Sequence, residues 1–130
     1  VGKLIIVDGA GLKPRKSLKT VLKTRIFKIR RALGLNVDKY GSPDYQALDD
    51  HMKKVFVRIV CSDLKSLLPL IKCETLIVWG KTDRDTPPYM AKQFREGIAG
   101  SEIVWLDGGH FAYLENPFVF LKITEAFLCR

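Results

Sequence analysis

The chain has 130 residues, of which 47% are hydrophobic, so it has the length of about one domain and enough apolar material for a packed core. This composition excludes a disordered or low-complexity chain. No apolar run reaches the roughly 18–20 residues that a membrane-spanning helix needs, so we expect no transmembrane segment.

The net charge of +8 comes from one segment. Residues 13–31 carry nine basic side chains and no acidic one. One interpretation is a solvated helix face, and the other is attraction to an anionic substrate, a membrane surface or an acidic partner. We do not expect a membrane partner. We also expect no nucleic-acid partner, because Phe27 is the only aromatic residue of the segment and no known binding motif is present.

The three cysteines, Cys61, Cys73 and Cys129, are widely spaced, and the sequence has no CxxC pair. This pattern indicates neither a disulfide framework nor a zinc ribbon. We expect free, buried thiols in a reducing compartment, and therefore a cytoplasmic protein.

Strand and helix patterns alternate along the chain. Continuous apolar runs, typical of strands buried on both faces, cover residues 4–7, 75–79 and 102–106. Helical spacing of apolar residues covers 17–33, 45–60, 63–71, about 87–97 and the segment after Asn116-Pro117. This order predicts an α/β fold with a mostly parallel sheet and right-handed crossovers.

The segment between the first two strands is too long and too helical for a simple crossover. We therefore expect residues 1–12 and 73–130 to form the α/β core and residues 13–72 to form a helical cap or lid. Tyr45, Met52 and Phe56 lie at helical spacing within that segment. They are compatible with the lining of an acyl pocket and equally with core packing.

Two segments that follow strands carry the candidate chemistry. Gly80 to Pro87 follows the second strand and contains Asp83, whereas Gly108 to Pro117 follows the third and contains His110. Functional groups of open α/β sheets collect at the carboxyl ends of the strands. An Asp and a His on neighbouring loops could therefore meet, and the carboxylate would fix the tautomer of the imidazole and stabilise its protonated form.

Residues 75–117 resemble the C-terminal part of an α/β-hydrolase. In that family the acid of the catalytic triad lies three residues after the Gly that ends its strand, and the His lies in a Gly-His turn after the last strand. The resemblance implies that Asp83 is the acid and His110 the general base, and that neither a cofactor nor a metal is required. Residues 1–12 resemble the strand after the nucleophile-bearing helix, and residues 13–72 resemble the variable helical cap.

The nucleophile of that family, in a Gly-x-Ser-x-Gly elbow, has no counterpart here. None of the five serines has Gly at both flanking second positions, and neither do the cysteines. The chain also begins at Val1 and not at Met. We therefore expect a fragment whose partner is the N-terminal half of the same protein, which carries the nucleophile.

The expected activity is hydrolysis of an ester or related bond of a small organic substrate. The alternatives are a non-catalytic hydrolase-like scaffold that binds through its basic cap, and another chemistry of the same fold, namely carbon–carbon hydrolysis, dehalogenation or peptide-end cleavage. Asp85 is the alternative acid. His51, beside Asp49 and Asp50, suggests a metal site, but adjacent helical residues point in different directions. Gly9-Ala10-Gly11 suggests a dinucleotide turn, but Pro14 occupies the position of its third Gly.

Overall fold

The computed structural model describes residues 1–13, 15, 25–26, 29–30, 32–34, 43–60 and 62–130. Its helices and strands are β1 (Lys3–Val7), α1 (Pro43–Ala47), α2 (Asp50–Val60), a 3-10 helix (Lys65–Leu70), β2 (Glu74–Gly80), α3 (Pro88–Gly97), β3 (Glu102–Leu106), α4 (Ala112–Glu115) and α5 (Pro117–Leu128). Of the predicted helix 17–33, the described residues 25, 26, 29, 30 and 32 are helical, and most of the others lie outside the described part.

The three strands form one parallel sheet in the order β1-β2-β3. In the register Ile6 pairs with Ile77, and Trp79 pairs with Trp105. The predicted α/β class with a parallel sheet is confirmed.

The central strand β2 explains why this sheet is covered on both faces. Its side chains alternate, as the pleat of a strand requires. Ile77 and Trp79 pack into one apolar cluster with α3 residues such as Phe94, whereas Leu76 and Val78 pack into a second with Phe127 of α5. These β2 side chains are at most 2% exposed, which accounts for the non-alternating apolar run in the sequence.

Lys3 connects β1 to the end of α5. Its Nζ donates hydrogen bonds to the carbonyl oxygens of Phe127, at 2.7 Å, and of Leu128 and Arg130, at 3.3 and 3.2 Å. Phe127 and Leu128 belong to the last turn of α5, whose carbonyls lack intrahelical donors, and a cation there is also favoured by the helix dipole.

The chain divides into two compact units, Val1–Leu12 with Asp63–Arg130, and Lys13–Ser62. Residues 63–72, which we assigned to the cap, thus group with the sheet. The role of the second unit as a cap remains a prediction. Within that unit the rings of Tyr45 and Phe56 lie 5.8 Å apart.

Three local elements differ from the sequence prediction. The helix expected over 45–60 is divided into α1 and α2, because the Asp49 carboxylate accepts a hydrogen bond of 2.7 Å from the amide of Met52 and so begins a new helix. The helix expected over 63–71 is a short 3-10 helix with Pro69 inside it, and Pro has no amide hydrogen for an α-helical bond. The short helix α4 was not predicted.

The prediction of buried thiols is wrong for Cys129, which is exposed, and Cys73 is half-buried. Both are free thiols, whereas Cys61 lies outside the described residues. Within the described part of the chain, no helix has both the length and the apolar character that crossing a membrane requires.

Candidate active site

The carboxyl ends of all three strands carry ionisable residues that meet at one edge of the sheet. Asp8 follows β1, Asp83 follows β2 and His110 follows β3. Asp8 and Asp83 are 6% and 3% exposed, whereas His110 is half-buried. Parallel strands place these ends together, so the sheet itself brings residues 8, 83 and 110 into one site.

Asp83 and His110 form a direct hydrogen bond. With its proton on Nδ1, His110 donates to Asp83 Oδ2 over 2.9 Å. The bond fixes the tautomer, so Nε2 is the nitrogen left with a lone pair to accept a proton. The sequence pattern predicted that these two loops would meet, and the structure brings them together.

The Asp83 carboxylate is held by three further donors. Its Oδ1 accepts hydrogen bonds from the amides of Asp85, at 2.8 Å, and Thr86, at 3.0 Å. The Thr86 hydroxyl lies 2.7 Å from Oδ2. Burial raises the pKa of Asp83, but the hydrogen bonds from His110, Thr86 and Asp85 outweigh it and hold the pKa below the ordinary 3.8. Asp83 is therefore a carboxylate at neutral pH.

The electrostatics of His110 favour its protonated form. Burial lowers the pKa of His110, but the hydrogen bond to Asp83 and the negative charges of Asp83, Asp85 and Asp8 outweigh it and hold the pKa above 6.5. A base that is half-buried, oriented and supported by a carboxylate can take a proton from a nucleophile and return it to a leaving group.

Gly80 allows the two loops to approach this closely. A Cβ on Gly80 would overlap the carbonyl oxygen of Gly109 and lie 2.9 Å from that of Gly108. The Thr82 amide and hydroxyl both donate to the Gly108 carbonyl, at 3.0 and 2.9 Å. The backbone before His110 therefore crosses directly over the end of β2.

Comparisons with known proteins agree with this arrangement. An esterase from Exiguobacterium antarcticum superposes with a TM-score of 0.70 at 22% identity, over 99% of this chain and 57% of the esterase. The enol-lactonase from Burkholderia xenovorans LB400 gives a TM-score of 0.62 at 19% identity, over 100% of this chain and 57% of that enzyme. This chain carries part of an α/β-hydrolase fold.

A curated relative is found by sequence. It is the 2-hydroxy-6-oxononadienedioate/2-hydroxy-6-oxononatrienedioate hydrolase of Escherichia coli (strain K12 / DH10B), which is 41% identical over 69 residues. The match covers 52% of this chain and 24% of the relative, so the chain spans only part of the proteins it resembles. No protein-family model matches the chain.

Sequence analysis missed two residues of this site, Thr86 and Asp8. The Thr86 hydroxyl, besides bonding Asp83, lies 3.1 Å from the Asp8 carbonyl oxygen and 3.3 Å from His110 Nδ1. Trp79, fully buried, donates from its indole nitrogen to the Thr86 carbonyl over 2.7 Å. A Thr before two prolines gives no sequence signal for such a role, whereas an Asp directly after a buried strand gives a weak one.

Replacing Thr86 by Val should remove the hydrogen bond from the Thr86 hydroxyl to the Asp83 carboxylate. The variant keeps the shape and the amide of residue 86 but removes the hydroxyl, and losing a buried hydrogen bond to a charged group costs about 1.5–3 kcal/mol. We expect a decrease of that size in the free energy of unfolding, measured by urea denaturation followed by circular dichroism. Thr86→Ser, which keeps the hydroxyl, is the matched control, and an equal loss in both variants would contradict the assignment.

The Asp83–His110 pair should also give stability a defined pH dependence. The lowered pKa of Asp83 contributes to the free energy of unfolding at any pH above 3.8, its unfolded pKa, and this contribution is lost as the pH falls through the folded pKa. The raised pKa of His110 contributes fully at any pH below 6.5, its unfolded pKa, and this contribution is lost as the pH rises through the folded pKa. We expect the difference in unfolding free energy between the wild type and His110→Gln to be largest between about pH 4 and 6.5. A difference that grows above pH 8 would contradict this.

Among the described residues, one group could supply ligands to a metal ion, namely Asp83, Asp85 and His110, whose ligand atoms lie within 4.8 Å of one another. Asp83 already accepts four hydrogen bonds, and His110 Nδ1 is one of their donors. The Asp83 oxygens and His110 Nδ1 therefore have hydrogen-bond partners within the protein.

The other residues that the sequence singled out take no part in this hydrogen bond where the structure describes them. Asp85 is exposed, and its contact with Asp83 is made by its backbone amide. His51 is exposed on α2 and belongs to no potential metal group in the described part of the chain. Met52 is 43% exposed. The basic segment 13–31 lies mostly outside the described residues.

Proposed function

We propose that this chain belongs to a serine-hydrolase-type enzyme that cleaves an ester or related bond of a small organic substrate. Asp83 is the acid and His110 the general base of a catalytic triad. The observation that carries the proposal is the hydrogen bond of 2.9 Å between a buried carboxylate and a half-buried imidazole at the ends of adjacent parallel strands.

The reaction follows from this geometry. The oxygen of the nucleophile attacks the substrate carbonyl while His110 Nε2 accepts the proton from that oxygen, and Asp83 stabilises the imidazolium that forms. His110 then gives the proton to the leaving group. In the second half of the reaction it accepts a proton from water, whose oxygen attacks the acyl group, and returns that proton to the nucleophile.

The nucleophile is proposed to lie outside this chain. The chain order of α/β-hydrolases is nucleophile, acid, His. Of the three described serines, Ser101 is 1% exposed and donates to the Ile98 carbonyl over 2.8 Å, and Ser62 donates to the Arg58 carbonyl over 2.7 Å. Ser66 is exposed in the 3-10 helix. None of the three lies in a Gly-x-Ser-x-Gly elbow, and the aligned part of the esterase is 57% of its length.

The experiment uses the full-length protein that contains this chain. We expect it to turn over p-nitrophenyl esters of short acyl chains and to react with a fluorophosphonate probe at one serine. Digestion and mass spectrometry should place the label on a peptide outside residues 1–130. A label inside residues 1–130 would contradict the location of the nucleophile. Absence of both labelling and turnover would favour the non-catalytic scaffold that binds through its basic segment.

A second candidate, hydrolysis of a carbon–carbon bond, is favoured by the 41% identity to the Escherichia coli hydrolase over 69 residues. The name of that relative describes a dicarboxylate substrate, and the nine basic residues of segment 13–31 would attract such an anion. A 2-hydroxy-6-oxo-dienedioate offered beside the ester panel separates the two candidates. A kcat/KM at least about tenfold higher for the dienedioate would favour this chemistry.

A further inference from the structure

A third buried carboxyl belongs to the site but has no part in the mechanism above. Asp8 follows β1 and is 6% exposed. Its backbone has a φ of +41°, and it is the only non-glycine residue with a positive φ in the described part of the chain. A non-glycine residue in this region is uncommon and costs conformational energy, so the surrounding contacts must hold it there.

Those contacts join the ends of β1 and β2. The Gly80 amide donates to Asp8 Oδ1 over 2.8 Å, and the Asp8 amide donates to the Val78 carbonyl over 3.1 Å. The Thr86 hydroxyl lies 3.1 Å from the Asp8 carbonyl oxygen. Asp8 thus contacts Gly80, over which the His110 loop crosses, and Thr86, whose hydroxyl also contacts the Asp83 carboxylate.

The charged groups that act on Asp8 come from the other two loops, Asp83 after β2 and His110 after β3. Burial raises the pKa of Asp8 to about 6, and the negative charge of Asp83 and a hydrogen bond with it add to that rise. The Gly80 amide and the positive charge of protonated His110 act in the opposite direction. In turn, the ionised Asp8 favours the protonated form of His110, as Asp83 and Asp85 do.

We propose that Asp8 is a positioning residue of the Asp83–His110 site, which holds the end of β2 through Gly80 and supplies a second buried negative charge that stabilises the imidazolium of His110. Its importance for turnover rests on the proposed function, whereas its effect on the imidazole does not. When His110 takes a proton, the negative charges of Asp83 and Asp8 both stabilise the positive charge that forms, and Asp8 neither gives nor receives that proton.

The test is Asp8→Asn in the full-length protein with isotope-labelled histidine. Asn keeps the Oδ1 acceptor for the Gly80 amide and tolerates a positive φ, so the substitution removes mainly the charge. We expect the NMR titration of the His110 imidazole to move to lower pH than in the wild type. In the wild type, the side-chain carboxyl carbon of Asp8 should titrate at about pH 6.

The matched control is Asp107→Asn, which removes a carboxylate from the His110 loop at a side chain that is 83% exposed and paired with Lys81. Equal midpoints of the His110 titration in Asp8→Asn and Asp107→Asn would overturn the proposal. So would an Asp8 carboxyl that stays protonated throughout the titration of His110, because it would then carry no negative charge; this measurement on the wild type does not depend on how the variant folds.

Turnover separates this proposal from the proposed function. If the enzyme is active, the acid limb of its kcat–pH profile should move to lower pH in Asp8→Asn, with KM nearly unchanged. A protein that turns over no substrate but shows the NMR shift would contradict the proposed function and support the role of Asp8.

Discussion

Replacing Asp83 by Asn is expected to lower kcat of the full-length protein, in the hydrolysis proposed above, by about 10³–10⁴-fold with little change in KM. The Asn side chain can take the place of the carboxylate and keep its shape, but it cannot stabilise an imidazolium. Its NH₂ group would also face His110 as a donor and favour the tautomer with the proton on Nε2. The base would then lack a free lone pair where the nucleophile must lie.

The control for this experiment is Asp85→Asn. It makes the same exchange two residues further along the chain. The Asp85 side chain is exposed, and only the backbone amide of Asp85, not its carboxylate, forms a hydrogen bond with Asp83. We expect a loss of less than about tenfold, because only a solvent-screened charge near His110 is removed. Comparable losses in both variants would indicate that Asp85 shares the role of the acid, and turnover near the wild-type level in Asp83→Asn would contradict the triad assignment.

Replacing Gly80 by Ala is expected to destabilise the protein by roughly 2–4 kcal/mol, because the new methyl group must displace backbone and not a flexible side chain. The carbonyl oxygen of Gly109 would have to move away, and with it the His110 backbone. The variant should therefore also lose activity at temperatures where it remains folded. Urea denaturation and ester turnover measure the two effects.

Gly109→Ala is the control, since a Cβ at Gly109 has no heavy atom within 4 Å and its φ is not positive. Its free energy of unfolding should lie within about 0.5 kcal/mol of the wild type. If Gly80→Ala were as stable as Gly109→Ala, the close approach of the two loops would not be required for folding.

The parts of the molecule that the sequence predicted are those determined by short-range patterns. The strands, α3, α5 and the meeting of Asp83 with His110 follow from apolar runs, from Pro and Gly positions, and from the rule that parallel strand ends share one edge. Asp83 and His110 are 27 positions apart, but each is fixed to its own strand end, so the sequence was sufficient to place them together.

The remaining features depend on contacts that no local pattern records. Thr86 is important because its hydroxyl lies between Asp83 and a residue 78 positions away in the chain, and Asp8 because its carboxylate meets the amide of Gly80. The break between α1 and α2 results from competition between apolar periodicity and the capping of α2 by Asp49, in which the cap prevails. α4 has only 4 residues, too few for a periodicity to be recognised.

The hydrogen bond between the Trp79 indole and the Thr86 carbonyl gives the protein an optical reporter of its own site. The indole is fully excluded from water and bonded to the turn that holds Asp83, so its emission should lie at short wavelength and respond when that turn moves. The chain has one other tryptophan, Trp105, and a Trp105→Phe background would leave Trp79 as the only indole of this chain. Its emission would then follow, without any attached label, whether substrate binding displaces the acid of the proposed triad.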